Sequence, residues 1–116
     1  MAEPFLSPNW HRVARLKARL HPHAEITRHR ARGRSWYSVR NAASGEMFRF
    51  APPVYLLLGL LDGQRTVEQA WQIVAERLDA EAPTQDEVIR LLSQLHDADL
   101  LQTDDTPDFE ELLARR

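Results

Sequence analysis

The spacing of apolar residues changes twice along this chain of 116 residues. Between 23 and 50 apolar positions tend to alternate with polar ones, the period of a strand with one buried face. From 54 to 61 the run Val-Tyr-Leu-Leu-Leu-Gly-Leu-Leu has no charged position at all. From 66 onward the apolar positions return every three to four residues, the period of a helix with a buried stripe.

Residues 23–30 and 36–41, rich in Ile, Thr, Trp, Tyr and Val, predict two strands joined by an arginine-rich turn around Gly33. The stretch NAASGE makes the next turn. It leads into a third strand over 46–50, with Phe48 and Phe50 on the core face and Met47 and Arg49 on the other. Pro52-Pro53 cannot continue a paired strand but suits a first helical turn, so the chain is expected to become helical there. A helix that is apolar all round over 54–61 must be buried on most sides, and Gly63 ends it. Thr66-x-x-Gln69 is a capping box for a second helix, with Val67, Ala70, Trp71, Val74 and Leu78 inward and an end near Asp79. Pro83 and Thr84-x-x-Glu87 open a third helix with Val88, Leu91, Leu92 and Leu95 on its core side, and Leu100 and Leu101 pack after it. At the front, Ser7-Pro8 followed by Trp10, Val13, Leu16 and Leu20 has near-helical spacing and predicts a helix.

The expected fold class is α+β, winged-helix-like: a three-stranded antiparallel sheet followed by a three-helix bundle. The expected organisation is a basic N-terminal arm over 1–22, the folded domain over 23–102, and an acidic tail over 103–116 with a short helix at 109–113.

Charge sharpens this picture. The net charge is -2, yet residues 1–50 hold ten Lys and Arg against the acids Glu3, Glu25 and Glu46, whereas 51–116 hold five Arg against fourteen Asp and Glu. A basic front half invites an anionic partner such as nucleic acid or the inner membrane leaflet, the latter through the N-terminal arm. The absence of cysteine excludes disulfides and thiolate metal sites. No apolar run approaches the roughly 20 residues that span a bilayer, so a cytoplasmic location is expected, at the inner membrane face if the arm binds lipid.

Catalytic patterns are missing. The five histidines include His21 and His23 one residue apart but no helical pair with a Glu between, so no metal site is expected. There is no nucleophile elbow and no glycine-rich phosphate loop, and the four glycines leave little backbone to cradle a nucleotide. No enzymatic activity and no cofactor are expected.

The stretch SWYSVRNAASGEMFRFAPPVYLLLGLLDGQRTVEQAW, with Gln94, Leu95, Leu100 and Leu101 further on, resembles PqqD-like domains of pyrroloquinoline quinone biosynthesis, the RiPP recognition elements, over about 23–102. The segments SPNWHRVARLKARL and APTQDEVIRLLSQLHDADLLQ are similar to the cytoplasmic N-terminal module of membrane-embedded peptide zinc metalloproteases. The zinc motif of those proteins is absent here, so the resemblance places any protease activity in a downstream region, and the chain is expected to be a fragment of a longer membrane protein.

The resemblance implies peptide capture, in which an extended leader or substrate peptide pairs with the third strand and rests against the third helix. An edge strand suits that role, because its unpaired N–H and C=O groups recruit a strand from another chain. The candidate peptide-binding residues are Met47, Phe48 and Arg49 on the strand and Gln85, Ile89 and His96 on the helix. Ile89 lies about 100° round the helix from Val88, off the expected core face and beside His96. The expected partners are a peptide or protein substrate and a membrane-embedded protease or transporter. Arg65 is expected to pair with Asp62 in the DGQRT turn. The alternative reading, a winged-helix nucleic-acid-binding domain, would place the third helix in the major groove. That helix carries Asp86, Glu87 and Asp97 against Arg90, which phosphates repel, so specific nucleic acid is not the expected partner.

Overall fold

The computed structural model describes residues 6–105 and Phe109. Strands β2 (Ala24–Ala31), β3 (Arg34–Asn41) and β4 (Met47–Phe50) form an antiparallel sheet in the order β2-β3-β4, as the alternation predicts. The β2–β3 connection is the two-residue turn Arg32-Gly33. Both residues sit at positive φ, +53° and +77°, the combination that matches the twist of a tight hairpin.

After β4 the chain turns into helix α1 (Pro52–Leu60), with the two prolines in its first turn, and then into α2 (Val67–Leu78) and α3 (Gln85–Asp97). Both expected capping boxes are formed. The Thr66 hydroxyl accepts from Gln69 N and the Thr84 hydroxyl accepts from Glu87 N, with the N3 side chains returning the bond. Between α1 and α2, the Asp62 carboxylate accepts from the amides of Gln64 and Arg65 and pairs at 2.9 Å with the Arg65 guanidinium. Gly63 passes this turn at φ +81°, close against the Arg19 side chain.

The N-terminal segment departs from the helix that its spacing predicts. Trp10–Arg12 is a single 3₁₀ turn, and β1 (Ala18–Leu20) is a strand paired antiparallel with β5 (Leu101–Thr103), forming a second, two-stranded sheet. Trp10 and Val13 are buried, as a three-residue repeat allows in a 3₁₀ turn. From Leu16 on, burial alternates (Leu16 in, Lys17 out, Ala18 in, Arg19 out), so the apolar spacing is met by an extended chain. This segment is bound to the body by backbone as well as by side chains. The carbonyls of Ala14 and Leu16 accept from Glu68 N and Val67 N, which are among the α2 amides lacking an intrahelical acceptor. Trp10, Val13, Ala14, Leu16 and Ala18 share one core with Val39, Leu57, Val74, Leu92 and Leu95. Because β1 precedes the three-stranded sheet and β5 follows α3, the helices come after the strands only in part.

Of the tail, Asp104 and Asp105 follow β5, and Phe109 is helical and buried. The rest of the helix expected at 109–113 lies outside the described residues. Among the described residues no helix is long and apolar enough to cross a membrane.

Candidate functional site

Strand β4 is an edge of its sheet: β3 covers one side and no described strand covers the other. Its register is fixed by β3, with Arg40 opposite Met47, Val39 opposite Phe48, Ser38 opposite Arg49 and Tyr37 opposite Phe50. Directly opposed residues share a face. Phe48 and Phe50 therefore lie with fully buried Val39 on the inner face, half-buried against the core, as expected. Met47 and Arg49 are exposed on the outer face, Met47 at 53%.

That outer face is organised around Trp36. The His29 ring stacks on the indole with centroids 3.8 Å apart, and the Arg49 guanidinium carbon sits 3.9 Å from the indole centroid. Beneath them Ser38 is buried, with its Oγ 3.0 Å from His29 Nε2. Three strands thus hold one aromatic and cationic cluster, of which Arg49 alone is among the candidate residues that the sequence points to. His29 and Trp36 could have been paired by counting outward from Arg32-Gly33, since a two-residue turn fixes the register.

A buried tie links the strand to α3. Asn41 donates from Nδ2 to the Ala98 carbonyl at the end of α3 (2.8 Å), while its Oδ1 accepts from Ala43 N and Ser44 N in the turn leading to β4. One amide side chain thus joins the end of β3 and the turn before β4 to the C-terminal end of α3.

The helix half of the candidate site requires correction. Ile89 is 1% exposed and belongs to the core, not to an open groove. Gln85 is buried as well, its Oε1 accepting from Ser7 N at 2.7 Å. His96 is half-buried, its ring 5.4 Å from that of buried Phe109. Two long-range contacts meet that flank of α3: Ser7 binds the Gln85 side chain at its start, and Phe109 lies beside His96 near its end. What α3 does present outward is the stripe Glu87, Arg90, Gln94 and Asp97. Its two acids outweigh one arginine, and nothing in it favours a nucleic-acid backbone. Met47, Phe48 and Arg49 are thus gathered on one open edge, whereas Gln85 and Ile89 are enclosed.

Among the described residues no group of three or more His, Asp or Glu is placed to hold a metal ion. The Asp62 carboxyl is held below the usual carboxylate range, chiefly by the backbone N–H of Arg65 and then that of Gln64, with the Arg65 charge a smaller cause. Arg65 is engaged within its own turn, as expected.

Strand β4 is thus an open edge on a small α+β body. The chain belongs to the PqqD family: residues 36–101, more than half of it, match the family described as coenzyme PQQ synthesis protein D (PqqD), whose domains are RiPP recognition elements. The match runs from Trp36 in β3 to the first residue of β5. No curated protein compared with the chain matches it.

Proposed function

We propose that the protein is a non-catalytic recognition module that takes an extended leader or substrate peptide as an added strand on β4 and delivers it to an enzyme that processes or exports it. The observation that carries this reading is the edge position of β4, whose outward backbone groups have no partner strand among the described residues. Membership of the PqqD family supports a peptide or protein as the partner. Met47, Phe48 and Arg49 make the direct contacts. Gln85 acts from inside, by holding Ser7 on α3, Ile89 supports α3 from the core, and His96 borders the site beside Phe109. In this proposal the sheet and helices make a winged-helix-like platform for the peptide. The enzyme served is, on the resemblance of the N-terminal and α3 segments, a membrane-embedded peptidase or transporter, in the same polypeptide or in a complex. Exposed Arg15, Lys17 and Arg19 would then face the anionic inner leaflet.

The test is a titration of the ¹⁵N-labelled protein with candidate peptides encoded beside its gene, following amide shifts. The expected result is shifts centred on residues 47–50. Shifts confined to residues 10–20, with β4 unmoved, would overturn the reading.

A further inference from the structure

The three strands of the β2-β3-β4 sheet carry a single carboxylate, Glu25, and it is already paired with Arg40 across β2 and β3. Five other arginines, Arg28, Arg30, Arg32, Arg34 and Arg49, lie on the strands and their hairpin turn, and none of them is paired with a carboxylate of the described residues. Two of the five, Arg34 and Arg49, share the outer face with Trp36 by strand parity. They meet at a step in the sheet. Strand β4 stops at Phe50, while β3, which runs antiparallel to it, extends past that point to Arg34. The step is a cleft of about 480 Å³ whose lining includes Arg34, Trp36, Arg49 and Phe50. The Arg49 guanidinium lies over the indole, which restricts it, while its in-plane N–H groups remain suited to a carboxylate.

From this charge complementarity we infer that the peptide added to β4 carries an acidic side chain at the position opposite Arg49 and apolar side chains at the positions opposite Phe48 and Phe50. The inference rests on the strand-addition reading and specifies which peptides that edge selects. In an added strand, residues opposite Phe48 and Phe50 emerge on the inner face, against half-buried aromatic rings. The residue between them emerges on the outer face, its Cβ about 5 Å from that of Arg49, within reach of a Glu or Asp carboxylate. A lysine there would meet like charge, and the one carboxylate on the three strands, Glu25, is already paired with Arg40.

Two seven-residue peptides provide the test, one alternating valine or leucine with glutamate and the other alternating the same apolar residues with lysine. Each is titrated into the ¹⁵N-labelled protein at low and at high salt. Both should shift the amides of 47–50, with the glutamate peptide binding about 3- to 10-fold more tightly at low salt and the gap narrowing as salt rises. Arg49→Gln should erase most of that preference and Arg49→Glu should reverse it. Equal affinity of the two peptides for the wild-type protein would overturn the acidic register and leave strand addition standing, and this comparison holds however the variants fold. A preference unchanged in both variants would overturn the assignment to Arg49. Unmoved β4 amides with both peptides at millimolar concentration would overturn strand addition, and the register with it.

Discussion

Asn41 makes the tie between the two halves of the proposed site, and its removal has a calculable cost. The side chain is 3% exposed and makes three hydrogen bonds: one donated to the Ala98 carbonyl and two accepted from the amides of Ala43 and Ser44. In Asn41→Ala the two amides belong to exposed turn residues and can turn to water, so their loss costs little. The Ala98 carbonyl belongs to a residue 4% exposed and loses the only side-chain donor described for it. Leaving such an acceptor buried and unmet costs about 1–3 kcal/mol, and with a few tenths for the loosened turn the total is about 1.5–3.5 kcal/mol. Asn41→Asp separates the two roles. It keeps an acceptor for the turn amides but sets a carboxylate oxygen against the Ala98 carbonyl, where a donor stood at 2.8 Å. At pH 7 it should be destabilised at least as much as Asn41→Ala. The assay is urea unfolding followed by the fluorescence of the three tryptophans, with amide hydrogen exchange at 47–50 as the local readout. Wild-type stability in Asn41→Asp would refute the reasoning, because it would show that the turn, not the link to α3, carries the effect.

Ile89→Ala should cost about 2–5 kcal/mol, in the range expected for Leu92→Ala, since both side chains are fully enclosed; a loss below about 0.5 kcal/mol in urea unfolding, as expected of a surface site, would contradict the burial. Asp62 sets a pH dependence: its carboxyl is held below its ordinary value of 3.8, so its contribution is present above that value and is lost as pH falls through the lower, folded-state value. Wild type should therefore exceed Asp62→Asn in stability at pH 7, with the gap narrowing in acid, and a gap unchanged from pH 7 to pH 2 would refute this.

What the sequence revealed and what it concealed divide by the range of the interaction responsible. The capping boxes at Thr66 and Thr84, the prolines at the start of α1 and the turn at Arg32-Gly33 act within three or four residues, and each is formed where the sequence places it. The N-terminal segment is ambiguous in sequence because Trp10, Val13 and Leu16 fit a helical stripe, while the alternation of Leu16, Lys17, Ala18 and Arg19 also fits a strand. The choice is made by pairing with β5, more than eighty residues away. The burial of Ile89 is likewise invisible to local spacing. A wheel drawn for α3 alone assumes one buried face, but this helix is packed on a second flank by residues near Ser7 and by Phe109. The Trp36 cluster lies between these cases: its His29 half follows from the tight turn, whereas the approach of Arg49 depends on a longer connection and on the tie through Asn41.

The covered flank of α3 also constrains where binding energy can arise. A strand of four residues such as β4 presents outward backbone groups for about two to four hydrogen bonds, each worth a net ~0.5–1.5 kcal/mol. Ordering four residues of an incoming peptide costs about 1–2 kcal/mol each, so backbone pairing alone leaves affinity near or below zero. Side chains must supply the surplus. With Gln85 and Ile89 enclosed, the groups beside β4 able to do so are Met47, the rings of Phe48 and Phe50, and the Arg34, Trp36 and Arg49 step. If a peptide adds to β4 as proposed, the edge strand sets how it lies, and the alternation of apolar and acidic side chains along it decides which peptide stays.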